Sequence, residues 1–115
     1  MESTVEVGAN AEARAVRALE REGYRIVERN FRCHSGELDI VAFHGEVLCF
    51  VEVRSRANAD HGDAAEAVDR RKQKQVARIA LYFISLRDPV FQRSRFDVVA
   101  ITGDRVELIQ DAWRL

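Results

Sequence analysis

Acids interrupt two runs that would otherwise read as clean β-strands. In "GELDIVAFHGEVLCFVEVRSR", residues 36–56, Glu37 and Asp39 break into the first run, and Glu52 with Arg54 into the second. A two-residue turn at His44-Gly45 would make the runs a hairpin in which Phe43 faces Glu46, Val41 faces Leu48, Asp39 faces Phe50 and Glu37 faces Glu52. Alternation then puts Glu37, Asp39, Glu52 and Arg54 on one side of the sheet, with Asp39 and Glu52 diagonal neighbours about 7–8 Å apart at the backbone. The other side receives Leu38, Ile40, Ala42, Val47, Cys49, Val51 and Val53, an apolar set expected to bury against a helix. An odd-numbered turn would split both sets.

Like charges facing each other destabilise a sheet, and partly buried carboxylates stay ionised only beside a cation or hydrogen-bond donors. A divalent ion meets that need. Oxygen-only ligands favour Mg²⁺ or Mn²⁺ over zinc, with one or two carboxylates, waters and substrate phosphate filling the coordination sphere. Such an ion activates a water and stabilises charge developing on a phosphate. The simpler alternative is a solvated strand face whose acids pair with Arg54 and Arg56.

The elements that must position these groups follow from periodicity. Residues 9–22 predict a helix, with Glu12, Ala15, Val16 and Leu19 along one stripe and Gly23 as its stop. Glu12 extends that sheet-facing stripe and is a candidate further acid. "YRIVERN", "ELDIVAF" and "EVLCFVEVR" predict three strands, and residues 57–68 a polar loop. Asp69 caps a second helix reaching about Leu86, with Val76, Ile79, Ala80 and Phe83 buried and Asp88-Pro89 at its end. "RFDVVAI" and "RVELIQ" predict two more strands around Gly103-Asp104, and "DAWRL" a short tail. The order α-β-β-β-α-β-β predicts an α/β fold, a mixed β-sheet flanked by helices.

Arg70, Arg71 and Lys72 stand in the first turn of the second helix, where the helix dipole makes cations unfavourable by a few tenths of a kcal/mol each. A bound phosphate reverses that sign, and Lys74 and Arg56 would extend the contact along a nucleic-acid backbone. Of the 18 basic residues 16 are Arg, the side chain that grips phosphate or carboxylate with paired hydrogen bonds. The net charge of −1 excludes a chain that is basic throughout, so any nucleic-acid contact must be local.

The remaining residues set bounds. A chain of 115 residues, 47% hydrophobic and 32% charged, fits one domain over residues 1–115. Two cysteines, Cys33 in a loop and Cys49 in the core, make neither a disulfide framework nor a zinc site. The first residues resemble no secretion signal, and no run approaches 18 apolar residues, so a soluble cytoplasmic protein without membrane contact is expected. Asp97 is expected to pair with Arg95, Trp113 to anchor packing, Gln73 and Gln75 to lie on the surface, and His34, His44 and His61 to sit in loops or turns.

Asp39 followed after a turn by Glu52-Val53-Arg54 resembles the PD-(D/E)xK signature of restriction-endonuclease-like nucleases. More closely, "GANAEARAVRALEREGYRIVERNFRC", "GELDIVA", "FVEVRSR", "AEAVDRRKQKQ" and "RFDVVAI", five blocks in order across almost the whole chain, resemble the YraN-type family, an uncharacterised bacterial group similar to Holliday-junction resolvases. The resemblance implies a restriction-endonuclease-like domain, Mg²⁺ or Mn²⁺ as cofactor with no small-molecule cofactor, and cleavage of phosphodiester bonds in branched or structured DNA by in-line attack of a metal-activated water. It implies Glu12, Asp39, Glu52 and Arg54 as catalytic residues, Asp39, Glu52 and Glu12 as metal ligands, and a homodimer that cuts two strands symmetrically. Two departures stand out. Arg54 holds the usual Lys position and stays protonated, so it can clamp phosphate but not abstract a proton. Ala11 stands where the family prefers Gly. The competing classes are a non-catalytic nucleic-acid-binding module with a degenerate nuclease site, and a structural adaptor with neither DNA nor metal affinity.

Overall fold

The computed structural model describes residues 4–58 and 68–114, with side chains in the first helix described from Asn10 onward. The elements are α1 (Thr4–Arg21), β1 (Tyr24–Cys33), β2 (Gly36–His44), β3 (Val47–Arg56), α2 (Arg70–Arg87), β4 (Arg93–Thr102) and β5 (Arg105–Trp113). This is the expected α-β-β-β-α-β-β order of a restriction-endonuclease-like core. Helix α1 begins earlier than residue 9, running through Gly8, a residue that costs about 1 kcal/mol in a helix interior. Most of the polar loop expected over 57–68, with His61, lies outside the described residues. "DAWRL" is no tail, because β5 continues to Trp113, whose ring stacks on Phe96 at 4.9 Å.

The five strands lie in sequence order in one sheet, antiparallel except for β3 and β4. That parallel pair needs a crossover, and α2 supplies it. Helix α2 buries Val76, Ile79, Ala80 and Phe83 against Phe31, Leu38, Val41, Leu48 and Phe50. Helix α1 buries Ala11, Ala15 and Leu19 against Ile40, Ala42, Cys49, Val51 and Val99 on the opposite face. Among the described residues no helix is long and apolar enough to cross a membrane.

Two departures from the expected hairpin shape the site. The β2–β3 turn is Gly45-Glu46, so Phe43 pairs with Leu48 and Val41 with Phe50. Gly45 takes φ 62°, which a two-residue turn with Gly at its first position requires. His44-Gly45 would have placed that left-handed conformation on His44. The turn keeps an even length, so the faces survive, but the pairing moves by two residues. One step beyond the last regular pair, Ile40 with Val51, Asp39 comes opposite Glu52 instead of Phe50.

Leu38 was expected beside Ile40, yet it packs on the α2 side with Phe31, while Ile40 packs on the α1 side. The cause is Asn30, whose φ of 56° leaves the regular pairing between Arg29–Ile40 and Phe31–Leu38 interrupted. Asn tolerates this left-handed conformation better than most residues. Both strands turn over there, and Asp39 sits at the inversion. A bulge at Val27 adds one residue to β1 before it.

Asp97 is fully buried on β4 and pairs with Arg95 as expected, through bonds of 2.8 and 3.0 Å. Tyr24 Oη donates to it at 2.6 Å and the Asp111 backbone N–H at 2.9 Å. His44 stacks on Tyr24 at 4.4 Å and Gln110 donates to the phenol, so this network ties β1 to β4 and β5. Burial, with Asp97 nearby, pushes the Cys49 thiol up to about 12, which keeps it an inert core residue.

Candidate metal and phosphate site

Glu52 is the centre of the site. It lies on β3 beside Val98 of the parallel neighbour, and only 2% of it is exposed. Its register directs it to the α2 side, next to the apolar Val98 of β4 and between Phe50 and Arg54 along β3. Asp39 reaches it from the inversion in β2. The Asp39 Oδ2 accepts the Val53 backbone N–H at 2.8 Å, which fixes that carboxylate against β3. Burial first, then hydrogen bonding to Asp39 and its charge, raises the Glu52 carboxyl to about 8, while Lys72 and Arg54 pull it down. Without a further cation the two carboxylates therefore favour holding a proton between them.

The cations come from two elements. On α2, the Asp69 side chain accepts the Lys72 backbone N–H at 2.9 Å and caps the helix. That cap fixes the first turn, from which Lys72 Nζ reaches Glu52 Oε1 at 3.3 Å. Arg54, two residues along β3 on the same face, has a buried Nε with no hydrogen-bond partner among the described residues. Beside them opens a pocket of about 410 Å³ lined by Asp69, Arg71, Lys72, Gln75 and Arg78. Arg70, Arg71 and Lys74 are exposed along the first turns of α2, and Arg56 is exposed at the end of β3.

Glu12 stands apart from the pair. Its Oε2 accepts from Asn30 Nδ2 at 3.2 Å and lies 3.4 Å from Arg29, while its Oε1 is buried without a partner among the described residues. Among the described residues no three His, Cys, Asp or Glu side chains converge on one point. Glu37 is taken up by its cross-strand neighbour Arg32 at 3.3 Å. The residues brought together are thus Asp39, Glu52, Arg54 and Lys72. Two carboxylates held close, one of them buried, with a partly exposed lysine as the neighbouring charge, fit a divalent ion that completes its shell with water and phosphate.

Gln75 and Arg78 escaped the sequence reading. Gln75, expected at the surface, is partly buried and donates to the Ser35 carbonyl at 2.9 Å, pinning the β1–β2 turn to α2. With Arg71 they form an i, i+4, i+7 stripe, a helical spacing that was visible once the first-turn cations had been noticed. A second pocket, about 350 Å³, lies at the other end of the β3–β4 pair and is lined by Arg93, Arg95, Trp113 and Arg114. Two of its arginines are already committed, Arg95 to Asp97 and Arg114 to Asp111.

The fold and these paired strand acids define an α/β domain of the restriction-endonuclease-like class. The model of the uncharacterised protein family UPF0102 matches residues 11–101, and the chain belongs to that family. Its relatives include a UPF0102 protein of Chlorobaculum tepidum, 48% identical over 83% of this chain and 74% of its own length. Another, from Moorella thermoacetica, is 45% identical over 89% and 85%. A third, from Syntrophus aciditrophicus, is 40% identical over 100% and 94%. The matched region contains Glu12, Asp39, Glu52, Arg54 and Lys72.

Proposed function

We propose that this protein is a metal-dependent nuclease that hydrolyses phosphodiester bonds of branched or structured DNA. The observation that carries the reading is the buried Glu52 with Asp39 beside it, facing a basic helix start. Asp39 and Glu52 hold Mg²⁺ or Mn²⁺, and Glu12, engaged by Arg29 and Asn30, acts on the site through water. The ion, when bound, supplies Lewis-acid polarisation of the phosphate and of an attacking water. The Arg54 guanidinium neutralises charge on the phosphate. Arg56, Arg70, Arg71 and Lys74 grip the flanking backbone by charge, hence without sequence preference. In the net reaction a water oxygen replaces one ester oxygen on phosphorus, leaving a phosphomonoester and a free hydroxyl.

The reading places the protein in a reducing cytoplasm, where the free Cys33 and Cys49 stay thiols, and as a two-fold dimer when two strands are cut. Incubation with an end-labelled four-way junction, a fork and a linear duplex in Mg²⁺ or Mn²⁺ tests it. Cutting that exceeds an Asp39→Ala control supports the reading, and none on any DNA form rejects it. A second reading is favoured by Arg54 in the lysine position and by the convergence of only two acids among the described residues: a nucleic-acid-binding module without catalysis. It predicts salt-sensitive DNA binding, weakened by removing Arg71 and Lys74, with no product.

A further inference from the structure

Lys72 has neighbours of two kinds. Its Nζ lies 3.3 Å from Glu52 Oε1, and the same side chain forms part of the wall of the pocket lined by Arg71, Gln75, Arg78 and Asp69, the last accepting the Lys72 backbone N–H. Of this ion pair, Glu52 is 2% exposed and Lys72 29%, so the lysine is the member free to leave. Its backbone is not free, because Asp69 holds the first turn of α2. Motion is therefore confined to the four-carbon stem and its compact ammonium, a group with three rotatable donors. Arg54 differs in having its Nε buried within the fold.

An ammonium and a divalent ion cannot both sit on one carboxylate oxygen without strong mutual repulsion. A lysine displaced from Glu52 needs another anion, and the pocket it already lines offers a polar space for one. We infer that Lys72 is an exchangeable cation, the counter-ion of Glu52 while the carboxylates hold no metal and a ligand of a phosphate oxygen when they do. The identity of that phosphate as part of DNA rests on the nuclease reading. Lys72 serves as a charge in both positions. The exchange also couples the two sites: filling the acid pair releases a positive charge for the phosphate.

A binding cycle tests this. The affinity of the intact protein for a labelled four-way junction is measured by fluorescence anisotropy with EDTA and with Ca²⁺, an oxygen-binding ion used here as the probe. The comparison is made for wild type, Lys72→Met and Lys72→Arg. Lys72→Met is expected to bind within about twofold of wild type in EDTA and at least fivefold more weakly in Ca²⁺, with Lys72→Arg restoring most of the loss. Equal loss in both conditions makes Lys72 a permanent DNA contact, and no loss in either makes it a prop for Glu52; both overturn the inference. Wild-type protein whose affinity is unchanged by Ca²⁺ also overturns it. Failure of the wild-type protein to cut any DNA in Mn²⁺ rejects the nuclease reading alone, since the cycle decides Lys72 whether or not the strand breaks.

Discussion

Replacing Glu52 by Gln should change how stability depends on pH, and with a sign particular to this site. In the folded protein, burial and Asp39 raise the Glu52 carboxyl from 4.5 to about 8. The folded state therefore binds this proton more tightly than the unfolded chain, and the stability it contributes is complete below 4.5 and lost as pH rises through 8. That interval, at about 1.4 kcal/mol per tenfold change in affinity, sets an upper bound of about 5 kcal/mol. That value already includes the pull of Lys72 and Arg54, and relaxation and water entry as the charge forms leave roughly half of the bound, about 2 to 3 kcal/mol. For a chain of this length that corresponds to about 8 to 12 °C in Tm. The assay is thermal unfolding without divalent ions from pH 5 to 9 for wild type and Glu52→Gln. Gln keeps a donor for Asp39 and cannot ionise, so other titrating groups cancel in the difference. Wild type should match or exceed the variant at pH 5.5 and fall below it at pH 8.5. Parallel curves for the two proteins would refute the reasoning that Glu52 is buried beside Asp39 with too little compensating charge.

Other perturbations test the framework. Asp69→Ala removes the α2 cap and should cost about 1 kcal/mol in urea unfolding, with metal-dependent DNA affinity reduced because Lys72 loses its fixed origin. Gly36→Ala should destabilise by more than about 1 kcal/mol, because φ there is +134° and a Cβ would lie 2.7 Å from Gln75 Nε2; unchanged stability would contradict the close approach of α2. Asp97→Asn leaves Arg95 without its carboxylate and should cost about 3 kcal/mol or more by chemical denaturation.

The order of elements was legible because helices and strands announce themselves by period, and the cap at Asp69 by residue type. Asp39 and Glu52 were legible as a pair because the expected and the observed turns both have two residues, so the parity of the faces is preserved. Their direct opposition was not, since it depends on which residue accepts positive φ in the turn, and His44-Gly45 and Gly45-Glu46 look alike until Gly45 is required at the first position. The inversion at Asn30 was hidden for a similar reason: a left-handed Asn gives no periodic signal, yet it moves Leu38 to the α2 side and turns Asp39 toward β3. The Lys72–Glu52 contact joins residues 20 apart across a crossover, a distance at which no local pattern speaks.

The central claim, that Asp39 and Glu52 share one divalent ion, is tested most directly by a crystal grown without metal and soaked in Mn²⁺. Anomalous scattering should place an ion about 2.0 to 2.3 Å from a carboxylate oxygen of each residue, with Lys72 Nζ withdrawn from Glu52. A saturating soak that leaves this place without an anomalous peak, and Lys72 still bonded to Glu52, would contradict the account.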